Sequence, residues 1–153
     1  MCPLRLWSRY AVTPNLVVMT TERTPDWVPA SGLQLRLTGV HFDAIRVRGV
    51  RGEAVLHHLA TLTEGDPGPV IREVSGGRWN YFLLAPGTSK DFDWPPGATC
   101  LGPAARDQYV GVPAPHGNTF PLSWRCGPPQ EGVFVDGELL HGVLMAQLVG
   151  EPE

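Results

Sequence analysis

Gly76-Gly77-Arg78-Trp79-Asn80-Tyr81-Phe82-Leu83-Leu84-Ala85-Pro86-Gly87 is the stretch on which the reading of this chain turns. It opens on a glycine pair, which takes positive φ at little steric cost. An aromatic and aliphatic run of strand composition follows, and Pro86-Gly87 stops it. Just upstream, Pro69-Val70-Ile71-Arg72-Glu73-Val74 is a second apolar run. Two such runs joined by a short Ser/Gly segment predict a β-hairpin over residues 69–85. This hairpin is expected at the centre of the sheet, with the rest of the chain packed on it.

Working upstream, Val40-His41-Phe42-Asp43-Ala44-Ile45-Arg46-Val47 reads as another strand. Leu33, Leu35 and Leu37 alternate with Gln34 and Arg36, the period of a half-buried strand. Gly49-Val50-Arg51-Gly52 punctuates a change of period and reads as a turn. From Glu53 to Leu62 the pattern is helical, with Val55, Leu59 and Leu62 on one face. Trp27 lies in a Pro-rich connection and is expected to tuck inward. Pro3 to Ala11 reads as a short helix and Leu16 to Met19 as a strand. Downstream, residues 88–97 form a polar, Pro-rich excursion carrying Trp94, and Cys100-Leu101-Gly102 reads as a short edge strand. Tyr109 to Pro113 is a strand, with Leu122 to Arg125 returning as its partner. Asp136 is a good N-cap for a last helix at 137–148.

These segments predict an α/β (α+β) fold, with a mixed or antiparallel sheet and flanking helices, in one domain spanning 1–153. The N-terminal helix and strand (3–20) and the C-terminal helix pack on it. Phe42, Val55, Leu59, Ile71, Tyr81, Leu83, Val110, Val112, Leu140 and Leu144 are the expected core.

The chain has 153 residues, enough to bury one core without metal or disulfides. Its 18 glycines and 16 prolines indicate a loop-rich globular domain rather than a disordered one. A net charge of −3 supplies no global field toward nucleic acid. Lys90 is the only lysine among the basic residues. Cys2, Cys100 and Cys126 are an odd number without paired spacing, which fits reduced thiols and a cytoplasmic location. No apolar run has the length of a membrane span, and no signal-peptide pattern is present.

The motifs for phosphate loops, dinucleotide binding and nucleophile elbows are missing. His57 and His58 are adjacent, so a helix points them about 100° apart, and no zinc-ligand set forms. Asp91 and Asp93 precede Trp94-Pro95-Pro96 and read as a solvated acidic loop. Asp43 sits inside an apolar strand; facing inward it needs a partner, with Arg46 and Arg48 near in sequence, and facing a groove it binds a ligand. Arg46, Arg48 and Arg51 form a basic cluster, the first two on one side of a strand. Arg78 and Trp79 at the hairpin turn add a cation and a stacking surface, a combination suited to single-stranded nucleic acid or nucleotide phosphates. A solvated, charge-blunted strand edge would look the same.

Taken together, residues 33–130 resemble the primase–polymerase domains of the archaeo-eukaryotic primase superfamily. They also look like the short actinobacterial proteins related to bifunctional DNA primase/polymerase N-terminal domains. The resemblance rests on Phe42-Asp43-Ala44-Ile45 with the helix after it, on the Gly76–Pro86 hairpin, and on Thr99–Gly102, Tyr109–Pro115 and Leu122–Trp124. The family's chemistry uses several carboxylates around two metal ions. Here the first acid matches Asp43, but the second falls on Ile45, the hairpin histidine on Trp79 and the third-motif acid on about Thr99.

The resemblance therefore implies a non-catalytic domain with no catalytic residues, no metal site and no cofactor. A nucleotide or nucleic acid, held by Asp43, Arg46, Arg48, Arg78 and Trp79, is its expected partner, in a setting related to DNA replication. Two alternatives stay open. One is a divergent nucleotidyltransferase holding Mg or Mn with acids such as Glu73, Asp91, Asp93 or Asp107. The other is a protein-interaction domain whose basic cluster is incidental. No membrane association is expected under any of them.

Overall fold

The computed structural model describes residues 23–102, 108–127 and 129–149. The helix and strand expected at 3–11 and 16–19 lie outside the described residues. Seven strands and two α-helices follow in the order β1 (Leu33–Leu37), β2 (Asp43–Arg48), α1 (Gly49–Leu62), β3 (Val70–Glu73), β4 (Trp79–Leu84), β5 (Ala98–Leu101), β6 (Tyr109–Pro113), β7 (Leu122–Cys126) and α2 (Gly137–Leu144). A 3₁₀ turn at Ser89–Asp91 lies between β4 and β5, and a π-helical turn at Met145–Val149 extends α2. The fold is thus α+β, as the alternation of periods predicts.

The hairpin β3–β4 lies inside a five-stranded antiparallel sheet ordered β5-β2-β4-β3-β7. β4 is its middle strand and is covered on both faces, which is why it reads as a continuous apolar run rather than an alternating one. Phe82 and Leu84 join a core against the helices, together with Ile45, Val47, Val70, Val55 and Leu140. Tyr81 and Leu83 join a second core on the opposite face, with Phe42, Ala44, Ile71 and Val110. That face is covered by a separate antiparallel ribbon, β1 paired with β6. Helices, sheet and ribbon therefore form three layers around two cores. All ten residues expected in the core are buried.

Four expectations about the strands and helices need correction. Tyr109–Pro113 and Leu122–Arg125 are not partners: β6 pairs with β1, and β7 pairs with β3 at the sheet edge. Val110 and Val112 are needed as a lid over the second core, so β6 stacks on the sheet instead of extending it. The indole N–H of Trp124 donates to the Pro113 carbonyl (2.8 Å) and ties the two layers.

The second correction concerns α1, which begins at Gly49 and not at Glu53. Gly49 takes φ +66°, turning the chain from strand into helix in one step. Gly52 lets the first turn lie on β2, since a Cβ there would come within 2.7 Å of the Val47 carbonyl oxygen. Two glycines that resemble turn punctuation thus serve close packing. Third, the buried stripe of α1 is Gly52, Val55, Leu56 and Leu59, while Leu62 is 59% exposed because the helix has run past the sheet. Fourth, β2 starts at Asp43; Val40 is exposed in a tight turn closed by the Gly39 N–H donating to the Phe42 carbonyl.

At the other end, Asp136 caps α2 as expected, its Oδ1 accepting from the N–H groups of Glu138 and Leu139. Cys100 is a free thiol, whereas Cys126, buried in the first core, is disulfide-bonded. The reading of reduced thiols throughout therefore fails at Cys126. No helix among the described residues is long and apolar enough to cross a membrane.

Candidate functional site

β2 and β4 run side by side, with Arg46 opposite Tyr81 and Arg48 opposite Trp79. Directly paired residues of antiparallel strands project to the same face. Arg46, Arg48, Trp79 and Tyr81 thus share the ribbon-side face, and β5 adds Thr99 opposite Arg46 while β3 adds Glu73 opposite Trp79. The ribbon covers the part of this face around Ala44, Leu83 and Ile71. Arg48 is exposed and Arg46 and Trp79 half-buried.

The guanidinium of Arg46 lies 4.2 Å from the centre of the Trp79 ring, and that of Arg48 lies 5.6 Å from it. The indole N–H donates to the Gly76 carbonyl (3.1 Å), which fixes the ring over the hairpin turn. Arg48 also runs close over Gly77, where a Cβ would sit 2.7 Å from its Nε. Arg78, exposed and with φ +67°, accepts from the Gly49 N–H through its carbonyl. The turn and the start of α1 are thereby joined, and Arg48, Arg51 and Arg78 are brought to one end of the sheet. The Nε of Arg46 is buried without a hydrogen-bond partner among the described residues.

Behind Arg46 lies a polar pair that the sequence reading did not place at the site. The Tyr81 hydroxyl donates to Glu73 Oε1 (2.8 Å), and the Ser75 hydroxyl donates to Glu73 Oε2 (3.0 Å). Burial raises the Tyr81 phenol above its ordinary 10.0; the bond to Glu73 raises it further, and the Arg46 guanidinium opposes both. Tyr81 and Glu73 also line a cavity of about 200 Å³ between β1 and the sheet. The hairpin register, which sets Glu73 opposite Trp79, was the signal that could have brought this carboxylate into the site.

Asp43 does not belong to this face. It is fully buried, on the side of β2 that also carries Ile45 and Val47. Its Oδ2 accepts from the backbone N–H groups of Gly87 and Ser89 (3.0 Å each), so its partners are not Arg46 or Arg48. Its Oδ1 has no partner among the described residues. Asp43 thus holds the 3₁₀ turn after β4 against the start of β2.

The positions that the primase–polymerase resemblance would assign to metal are split in the same way. Asp43 and Ile45 face the helices; Trp79 and Thr99 face the ribbon side. Asp91 and Asp93 are exposed in the excursion, the former beside Lys90 at 3.9 Å, and Asp107 is outside the described residues. Among the described residues no group of three or more His, Cys, Asp and Glu could hold a metal ion. This donor set does not fit a two-metal centre, because the one matching carboxylate is committed to backbone amides on the wrong face of the sheet.

A second polar cluster sits on the helix side. Glu53 of α1 accepts from the Asn80 amide (3.1 Å) and from Arg125 (3.3 Å), with Arg72 at 3.7 Å. It clamps α1 to β3, β4 and β7 and is read as structural.

No family model matches the chain. No curated protein and no solved structure matches it either.

Proposed function

We propose that this domain is a non-catalytic, primase–polymerase-like module that binds a nucleotide or single-stranded nucleic acid on the ribbon-side face. The observation that carries the reading is the Arg46–Trp79 stack flanked by Arg48, a cationic and aromatic surface at the open end of the sheet. Guanidinium groups recognise phosphates, and an indole gives bases a face to stack on. Arg78 extends the cationic rim; Asp43 is not part of the contact. The role is replication-related and needs no metal or other cofactor.

Fluorescence polarisation with a labelled oligothymidylate tests this. Binding is expected at low salt and should fall as salt rises, with a slope of about −0.7 per phosphate contact. Arg46→Ala and Trp79→Ala should each weaken it. Equal binding by these variants, or none by the wild type at low salt, refutes the reading.

A protein-interaction role has its own support. A groove of about 340 Å³ between α1 and α2 is lined by Leu62, Leu139, Gly142 and Val143, with His58 and Glu138 at its rim. Leu62 and Leu139 leave apolar surface exposed there.

A further inference from the structure

We infer that the free edge of β1 is a self-association surface, on which β1 of a second copy of this chain pairs antiparallel about a two-fold axis at Leu35. This is independent of the nucleotide-binding reading. Among the described residues β1 pairs only with β6, so its other edge is open. The register shows which backbone groups lie on that edge. The Thr38 N–H donates to the carbonyl of its partner Gln108, and the Ala114 N–H to that of its partner Gly32. Antiparallel partners alternate between hydrogen-bonded and non-hydrogen-bonded pairs. Gln34 and Arg36 therefore bond to β6, while Leu33, Leu35 and Leu37 turn their N–H and C=O groups outward. Pro113, which has no N–H to give, stands opposite Leu33, in keeping with that alternation.

The side chains along this edge are apolar as well. Leu33, Leu35 and Leu37 project to one face of β1. Leu35 is 64% exposed and Leu33 39%, and Tyr109, across from Leu37, is 57% exposed. Edge strands that stay apart are blunted by charge or proline. The leucine face of β1 carries neither.

The edge is complementary to itself. Antiparallel copies of β1 with Leu35 on the axis set Leu33 against Leu37 and Leu35 against Leu35. Every outward N–H and C=O of the leucines is then paired, and the leucines of both copies form one apolar stripe. On the opposite face Gln34 meets Arg36, a combination that already bonds within one strand, from Arg36 Nη1 to Gln34 Oε1 (3.2 Å). The neighbouring registers of the same parity are poorer. One opposes Arg36 to itself, which like charges disfavour, and the other sets Leu37 against Ser31. The pairing is closed, since it consumes the same edge on both copies. A five-residue strand edge buries less than the roughly 1,200–2,000 Å² of stable complexes, so the dimer depends on concentration.

Sedimentation of the full chain across a concentration series tests this. Wild type should pass from monomer to dimer. Leu35→Lys and Leu35→Glu each set like charges across the axis and should weaken dimerisation about tenfold or more. Mixed in equal amounts, the two variants bring opposite charges together at the axis and should dimerise with each other far better than either does alone. Val50→Lys, at an 84% exposed position on α1, should dimerise as wild type does. Thermal melts establish that each variant is folded. A wild type that stays monomeric up to about 1 mM overturns the surface. So do folded Leu35 variants that dimerise as well as wild type, a mixture no more dimeric than its components, or assemblies that grow beyond the dimer.

Discussion

Arg46 and Trp79 are diagonal neighbours across β2 and β4, yet they are closer than the directly opposed pair. The Arg46 guanidinium is 4.2 Å from the ring centre and that of Arg48, directly across from Trp79, is 5.6 Å. Long side chains reach diagonal partners in a twisted sheet, and one indole thereby gathers two cations. The ring's N–H is held by the Gly76 carbonyl, which orients it over the hairpin turn.

Trp79→Leu should cost little stability and much binding. Cation–π contacts at exposed sites contribute about 0.5–1 kcal/mol, whereas base stacking on an aromatic is worth about 1–3 kcal/mol per base. Urea unfolding and an oligonucleotide titration on the same sample separate the two. Unchanged affinity would show that the ring does not contact the ligand.

Asp43→Ala should have the reverse profile. It leaves the Gly87 and Ser89 amides without their carboxylate at a fully buried site. The expected loss is about 2–4 kcal/mol of folding stability, since hydrogen bonds to charged groups are the stronger class. Oligonucleotide affinity of the folded fraction should stay at the wild-type value, because Asp43 points to the helix side. A variant as stable as wild type would remove the capping role assigned here.

Leu59 packs in the first core with no exposed surface. Leu59→Ala should cost about 2–5 kcal/mol, the sum of lost transfer energy and the cavity left behind. Leu62→Ala, three residues on and exposed, should stay within about 0.5 kcal/mol of wild type. Denaturant midpoints of the two variants decide whether the buried stripe of α1 is as described.

Tyr81 gives the fold an alkaline limit. Its phenol holds its proton more tightly in the folded state than its ordinary 10.0, from burial first and the Glu73 bond second. A raised folded value means that the contribution is fully present below the unfolded value and is lost as pH rises through the folded one. Wild-type stability should therefore fall above about pH 10, and Tyr81→Phe should flatten that part of the curve. Denaturant titrations across this range, compared between the two proteins, read it directly. Parallel curves would mean that Tyr81 is not the group responsible.

How much of this was legible beforehand depended on whether the signal was local. The hairpin, β2 and α1 show themselves through period, and so does the cap at Asp136. The core residues follow from the same periods. The ribbon does not, because four other strands and α1 separate β1 from β6 along the chain and nothing in either run names the other. The partners of Asp43 were hidden for a related reason: they are backbone amides of a distant turn, and a backbone amide has no letter in the sequence. Arg46, Arg48 and Trp79 were legible as a group because strand alternation and the hairpin turn put them together. Glu73 needed one more step, the register across the turn, before it could be seen beside Tyr81.

The strand order has a consequence for how the chain reaches this state. Of the pairings in the two sheets, only β3–β4 joins neighbours along the chain; β2–β5, β3–β7 and β1–β6 all close long loops. Loop-closure entropy must be overcome before such contacts give anything back, so topologies of this kind fold slowly. The hairpin is the piece that can form first, and the ribbon, resting on a sheet that must already exist, is the piece that must come last. The face that carries Trp79 is therefore assembled early, while the cavity beside it exists only once folding is complete.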